Sequence, residues 1–183
     1  MSESSVAAAS EREGLVDFLG KQRYAMRIAA YGLTDEQARS TPSASSLSVG
    51  GLVKHIASME QGWIDRIRGT AEDGGSPDEY MAGFRMDANE TLAGLLDQYD
   101  EVARASDAYL ADVDLDQRIP VPKGVPWHRN PPDFWTARWI LLHLIEETAR
   151  HAGHADIIRE SIDGATCWTV MAAAEGWPAR DWS

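Results

Sequence analysis

The strongest constraint on the fold is a helical repeat of apolar residues that returns four times along the chain. Within each stretch, apolar side chains recur every three to four residues, which is the spacing of an amphipathic α-helix. No alternation of apolar and polar residues, the pattern typical of a β-strand, persists for long. The four stretches run from about Ser10 to Tyr31, Val49 to Arg68, Ala88 to Ala111 and Thr136 to Ile162.

Two short helices and two long connections complete the predicted organisation. Thr34 followed by Gln37 fits a capping box for one short helix, and residues 166–175 predict another near the end. Residues 69–87 are rich in glycine and acidic side chains, and residues 118–135 contain five prolines, which exclude regular helix. The sequence therefore predicts an all-α four-helix bundle with long crossover connections and short extra helices.

Length and charge narrow the class of protein. A chain of 183 residues suits a single domain, residues 1–183, with a sizeable core. The net charge of -12 and the pI near 4.7 disfavour binding to nucleic acids and anionic membranes. No apolar run reaches the roughly 18 residues of a membrane span, and no signal-peptide pattern is evident. We therefore expect a cytoplasmic protein that acts on a small molecule, without a nucleic-acid or membrane partner.

The single cysteine limits the chemistry of the chain. One cysteine, Cys167, excludes both an intramolecular disulfide and a zinc site built from several cysteines. It lies beside Trp168 in an apolar context, so we expect a structural role rather than a nucleophilic one. A reducing compartment is the simplest setting for such a chain.

The segment HLIEETARHAGH, residues 143–154, concentrates histidine and glutamate in the fourth long helix. At about 100° per residue, Glu147 and His151 fall in the middle of an apolar stripe, one turn apart. His143 and His154 lie at the edge of the same stripe. A carboxylate and an imidazole at i, i+4 can reach one point, and bundle cores hold metal sites built in this way.

A third ligand has to come from another helix. His55 is the candidate, because it lies on the flank of the apolar stripe of the second long helix, whereas His128 in the proline-rich connection is the weaker choice. Two ordinary explanations stay open at this point. A buried histidine is often a hydrogen-bonded core residue, and Glu147 with His151 can be an ion pair. The HExxH spacing of a zincin is absent from the sequence.

Two segments resemble the DinB-like superfamily, within an uncharacterised bacterial branch of it. They are SLSVGGLVKHIASMEQGWIDRI, residues 46–67, and WILLHLIEETARHAGHADIIRE, residues 139–160; the closing GWPARDW is similar as well. The resemblance implies a four-helix bundle that holds one divalent metal through a histidine of the second long helix and two residues of the fourth. In this sequence those positions are His55, Glu147 and His151.

The resemblance also implies a kind of chemistry. The mycothiol-dependent maleylpyruvate isomerase branch is similar to this chain in having glutamate at the position of Glu147, where many relatives have histidine. Relatives often have glutamine where this chain has His154. Members with known activity are often thiol-dependent enzymes that use mycothiol or bacillithiol, and such bundles are often homodimers.

These patterns lead to a functional prediction. Two imidazoles and one carboxylate suit Zn(II), with Ni(II) and Fe(II) as alternatives, and three protein ligands leave coordination positions open. The leading prediction is a metal-dependent thiol-S-transferase or isomerase, in which the metal lowers the pKa of a low-molecular-weight thiol such as mycothiol. The alternatives are a metal-dependent hydrolase and a non-catalytic, stress-related metal-binding bundle. A homodimer is expected from the resemblance.

Several other side chains have both a functional and a structural interpretation. Glu60 is either a general base or part of a solvated face, and we favour the solvated face. His143 either orients a metal ligand or contacts a loop. Arg66 and Arg150 either bind the carboxylates of an anionic substrate or form ion pairs on the helix surface, and we favour the ion pairs; Glu146 is expected to face solvent. We expect Trp63, Trp135 and Trp139 to pack in or near the core, and plain packing rather than a pocket mouth for Trp127, Trp177 and Trp182.

Overall fold

A computed structural model describes residues 10–71, 76–122, 130 and 132–178, and it confirms the predicted all-α bundle. None of the helices within those ranges combines the length and the apolar character that crossing a bilayer requires. The elements in chain order are α1 (Glu11–Ala30), α2 (Asp35–Arg39), α3 (Val49–Arg68), α4 (Pro77–Ala82), α5 (Leu92–Leu110), β1 (Arg118–Pro120), β2 (Phe134–Thr136), α6 (Ala137–Asp163) and α7 (Cys167–Ala174).

The helices begin where the sequence supplies a capping hydroxyl. In the described part of the chain, each helix follows a serine or threonine whose side-chain oxygen accepts a hydrogen bond from the backbone N–H three residues on. This explains why α5 begins at Leu92 rather than near Ala88, since Thr91 is its cap. Gly69 and Gly164, both with φ of 76°, end α3 and α6 in the left-handed conformation.

Two features were not predicted from the apolar pattern. The short helix α4 lies in the glycine- and acid-rich connection, where Ser76 and Glu79 form a capping box. Strands β1 and β2 pair antiparallel, with Ile119 opposite Trp135, and tie the start of α6 to the segment after α5. Elements of three to six residues are too short for a periodic pattern to reveal them.

The buried apolar residues form two clusters, and α3 and α6 contribute to both. Helix α1 packs mainly against α6, while α3 packs against α5 and α6. The first cluster takes residues 49–57 of α3 and 152–158 of α6, and the second takes 64–67 and 137–144. The stretch of α6 between these two blocks contains Glu147 and His151. The polar pair predicted from the sequence therefore lies where the two clusters meet.

Candidate metal centre

Helices α3 and α6 bring the three predicted ligands to one place. The two helices run in opposite directions, because His55 meets His151 near one end and Trp63 meets His143 further along. The rings of His55 and His151 lie 5.0 Å apart in an edge-to-face arrangement. Glu147 lies one turn before His151, with 3.6 Å between its Oε2 and the Nε2 of that histidine. We call this candidate set of ligands, His55, Glu147 and His151, the metal centre from here on.

The donor atoms of the metal centre converge. One ligand atom from each of the three residues lies within 4.8 Å of the other two. His55 and His151 are buried, with 6% and 8% of their surface exposed, while the Glu147 side chain is 20% exposed. The site is thus shielded from bulk water on the histidine side and open beside the carboxylate.

The donor set fits a divalent transition metal. Ligand atoms about 2.1 Å from a tetrahedral ion lie about 3.4 Å from one another, so the 3.6 Å between Glu147 and His151 is already close to that value. Two imidazoles and a carboxylate are the combination found in catalytic zinc sites, which keep a position open for water or substrate. All three donor atoms lie within 4.8 Å of one another, which is somewhat wider than that tetrahedral separation.

Burial keeps the two imidazoles neutral. Desolvation, with the nearby His151 adding to it, lowers the pKa of His55 from 6.5 to about 4. Burial also lowers the pKa of His151, although the charge of Glu147 opposes the shift. Near neutral pH both rings therefore carry the unprotonated nitrogen that a metal requires.

An aromatic wall covers His55. The ring of Phe84 stacks on His55 at 3.7 Å between centroids, and Tyr80 approaches the same imidazole edge-on at 5.8 Å. A glycine makes this possible: a Cβ on Gly51 would lie 2.0 Å from the carbonyl oxygen of Phe84, so only glycine lets that backbone approach α3. No pattern in the sequence indicated this wall, because the connection that carries it shows no periodicity.

His143 lies outside the metal centre, in an aromatic cluster. Its ring stacks on Trp139 at 5.2 Å and meets Trp63 edge-on at 4.9 Å. Its Nδ1 lies 3.8 Å from Glu146, which belongs with Glu147 to a second grouping of potential ligand atoms. Both carboxylates of that grouping pair with Arg150, so a cation from the protein already accompanies them.

The expectation that Glu60 belongs to a solvated face is wrong. Its side chain is 1% exposed, and its two carboxylate oxygens accept hydrogen bonds from Nε and Nη2 of Arg23 at 3.0 and 2.7 Å. Nη1 of Arg23 donates to Asp107 at 2.8 Å. We call Arg23, Glu60 and Asp107 the ion-pair cluster. Ile56 and Ile64, one turn on either side of Glu60 and both buried, were the signal in the sequence that Glu60 faces inward.

The remaining predictions are largely confirmed within the described residues. Trp63, Trp135 and Trp139 form one aromatic group, and Glu146 and Arg150 are exposed and paired. Burial raises the pKa of the Cys167 thiol, which agrees with a structural role. Trp177 is 41% exposed. Three residues singled out from the sequence lie outside the described part of the chain: Trp127, His128 and Trp182.

Comparisons with known proteins agree with the fold and add a family. The crystal structure of a conserved protein from Enterococcus faecalis is similar to this chain with a TM-score of 0.66 and 17% identity, covering 86% of this chain and 100% of that one. At that identity the likeness shows the fold alone. No curated protein sequence matches. The model of the mycothiol-S-transferase family matches residues 14–164, which include all three residues of the metal centre. The chain therefore belongs to the mycothiol-S-transferase family, a DinB-like family.

Proposed function

We propose that this protein transfers the sulfur of mycothiol to a small electrophile, with the help of one divalent metal ion held by His55, Glu147 and His151. The observation that carries the proposal is the convergence of one carboxylate and two buried imidazoles within 4.8 Å, inside the segment that the family model matches. Zn(II) is the first choice for such a donor set, and Ni(II) and Fe(II) are the alternatives.

A cation held by these residues would supply Lewis acidity, which would lower the pKa of a thiol toward neutrality. The two histidines contribute neutral donors, because burial lowers the pKa of each ring. Glu147 contributes one negative charge, and Arg150 contacts its Oε1 at 3.4 Å, which leaves Oε2 on the side of His151. Taken without Arg150, the three side chains carry a net charge of −1, which favours the binding of a divalent cation.

The aromatic wall next to His55 suits the binding of the electrophile. Phe84 and Tyr80 lie against His55, so an electrophile that reaches the thiolate from that side leaves water for an apolar surface. With a halide electrophile, the sulfur of mycothiol forms a bond to carbon, the carbon–halogen bond breaks with its electron pair leaving on the halide, and the thiol proton goes to solvent. An isomerase would use the same first bond and later release the thiol unchanged.

The test compares two neighbouring glutamates. Mycothiol conjugation of monochlorobimane is followed by fluorescence for the zinc-loaded wild type, for Glu147→Gln and for Glu146→Gln. Glu146 is the matched control, because it precedes Glu147 directly but is 58% exposed and outside the metal centre. We expect the rate to fall by at least about tenfold in Glu147→Gln and after chelation, and to stay within about twofold in Glu146→Gln.

The outcomes separate the alternatives. Equal rates for wild type, Glu147→Gln and chelated protein would overturn the role of the metal. Zinc bound at one equivalent without thiol consumption would overturn the transferase assignment and leave the hydrolase or the non-catalytic bundle. The homodimer and the cytoplasmic location expected from the sequence stay predictions.

A further inference from the structure

We propose that His154 is a positioning residue for the metal ligand His151: its Nδ1 accepts a hydrogen bond from the Nδ1–H of His151, which keeps Nε2 of His151 unprotonated toward the metal centre. The inference rests on the metal centre of the proposed function. His154 lies at the edge of the apolar stripe of α6, and its proposed role differs from that of the three ligands.

The two nitrogens of His151 face different partners. Nε2 lies 3.6 Å from Oε2 of Glu147, on the side where the ligand atoms converge. Nδ1 lies 3.4 Å from Nδ1 of His154, at the long end of a hydrogen bond. A neutral imidazole carries a single N–H, so the position of that proton decides which nitrogen has a free lone pair.

Two arrangements of the proton compete. In one, Nδ1–H of His151 donates to His154, and Nε2 is free to bind a metal. In the other, Nε2–H donates to the carboxylate of Glu147, and the ligand nitrogen is blocked. The acceptor on His154 stabilises the first arrangement, because it gives the Nδ1–H of a buried ring a partner.

The location of His154 makes its contribution easy to isolate. It follows His151 by three residues on α6, so the helix itself holds the two rings together at a centroid distance of 5.5 Å. His154 is exposed. Replacing His154 therefore removes the hydrogen-bond acceptor without opening a cavity in the core.

The experiment uses two replacements on the full chain. His154→Gln keeps an acceptor oxygen, and His154→Leu keeps a similar size without one. Zinc affinity is measured by competition with a chromophoric chelator, and the tautomer of His151 by long-range ¹H–¹⁵N NMR of the metal-free protein. We expect zinc to dissociate about 10- to 100-fold more readily from His154→Leu and within about threefold of wild type from His154→Gln. The proton of His151 should be on Nδ1 in wild type and move to Nε2 in His154→Leu.

Three outcomes would contradict the inference. Wild-type zinc affinity in His154→Leu would overturn the positioning role while leaving the proposed function intact. Equal loss in both variants, with the melting temperature of the metal-free protein unchanged, would overturn the acceptor role and make His154 a ligand itself. A wild type that binds no zinc would overturn this inference together with the metal dependence of the proposed function.

Discussion

Helix α3 contributes to two buried polar sites, the ion-pair cluster and the metal centre, and they differ in how their side chains are paired. The ion-pair cluster around Glu60 is closed: the carboxylate accepts two hydrogen bonds from Arg23, whose remaining terminal nitrogen reaches Asp107. The metal centre around His55 is open in the sense that its three side chains could all bind one further ligand through their lone pairs. Less than two turns of one helix separate the two sites.

The difference shows that the burial of an ionisable side chain does not by itself reveal its role. Both sites place ionisable side chains in the core, and both would be costly without partners. In the ion-pair cluster the opposite charges come from the protein, so the cluster ties α1, α3 and α5 together. In the metal centre burial lowers the pKa of both histidines, so the rings stay neutral, and of the three side chains only Glu147 carries a charge, beside the exposed Arg150. The first arrangement ties three helices together, and the second is the one for which we propose a bound metal ion.

The largest effect should come from opening the closed site. Glu60→Ala leaves the guanidinium of Arg23 buried with only the half-exposed Asp107 as a partner, which should lower the free energy of unfolding by about 3–5 kcal/mol. Glu146→Ala is the control, because that carboxylate is 58% exposed, and it should cost less than about 0.5 kcal/mol. Urea unfolding followed by circular dichroism measures both. Equal stabilities would show that the cluster contributes nothing.

Binding of a metal ion at the open site should have the next largest effect on stability. Zinc at 100 times its dissociation constant should raise the free energy of unfolding of wild type by about 2.7 kcal/mol, because it binds the folded state. His55→Leu should lose this gain, since one of three ligands is gone. Thermal unfolding with and without zinc is the measurement, and a variant that zinc stabilises as much as wild type would remove His55 from the centre.

A smaller effect is expected from displacing the aromatic wall of the open site. Gly51→Ala puts a Cβ against the carbonyl oxygen of Phe84 and should destabilise the protein by about 1–3 kcal/mol. Gly62→Ala on the same helix is the matched control, because apart from the adjacent backbone of α3 no atom lies within 4 Å of its added Cβ, and it should stabilise by up to about 1 kcal/mol. Chemical unfolding of both variants checks the prediction; shifts of the same sign would contradict it.

The last comparison concerns the dependence of stability on pH, to which the buried imidazole of His55 in the open site should contribute. The folded-state pKa of His55 is about 4 and its ordinary value is 6.5, so between these values the unfolded chain binds the extra proton. The metal-free protein should therefore lose stability as the pH falls from 6.5 to 4, and this loss should be smaller in His55→Leu. Unfolding free energies at several pH values measure the slope. Parallel slopes for the two proteins would contradict the neutral, buried imidazole.

The sequence by itself determined the parts that rest on short-range periodicity. Four long helices follow from apolar spacing, and their starts follow from serine and threonine caps such as Thr136. The Glu147–His151 pair follows from the i, i+4 spacing of one helix, which fixes the neighbours whatever the rest of the chain does. The resemblance to the DinB-like superfamily then supplied His55, which spacing could only nominate.

Only the tertiary structure decided what lies opposite each polar residue. In the sequence Glu60 and His55 looked alike, as polar residues near the apolar stripe of α3. In the structure Glu60 pairs with Arg23 of α1, whereas His55 lies against His151 of α6. The contact of Phe84 with His55 likewise depends on a backbone approach at Gly51. Such pairings join residues far apart in the chain, so no local period encodes them. They arise when the helices pack, because packing determines which side chain lies opposite each polar group.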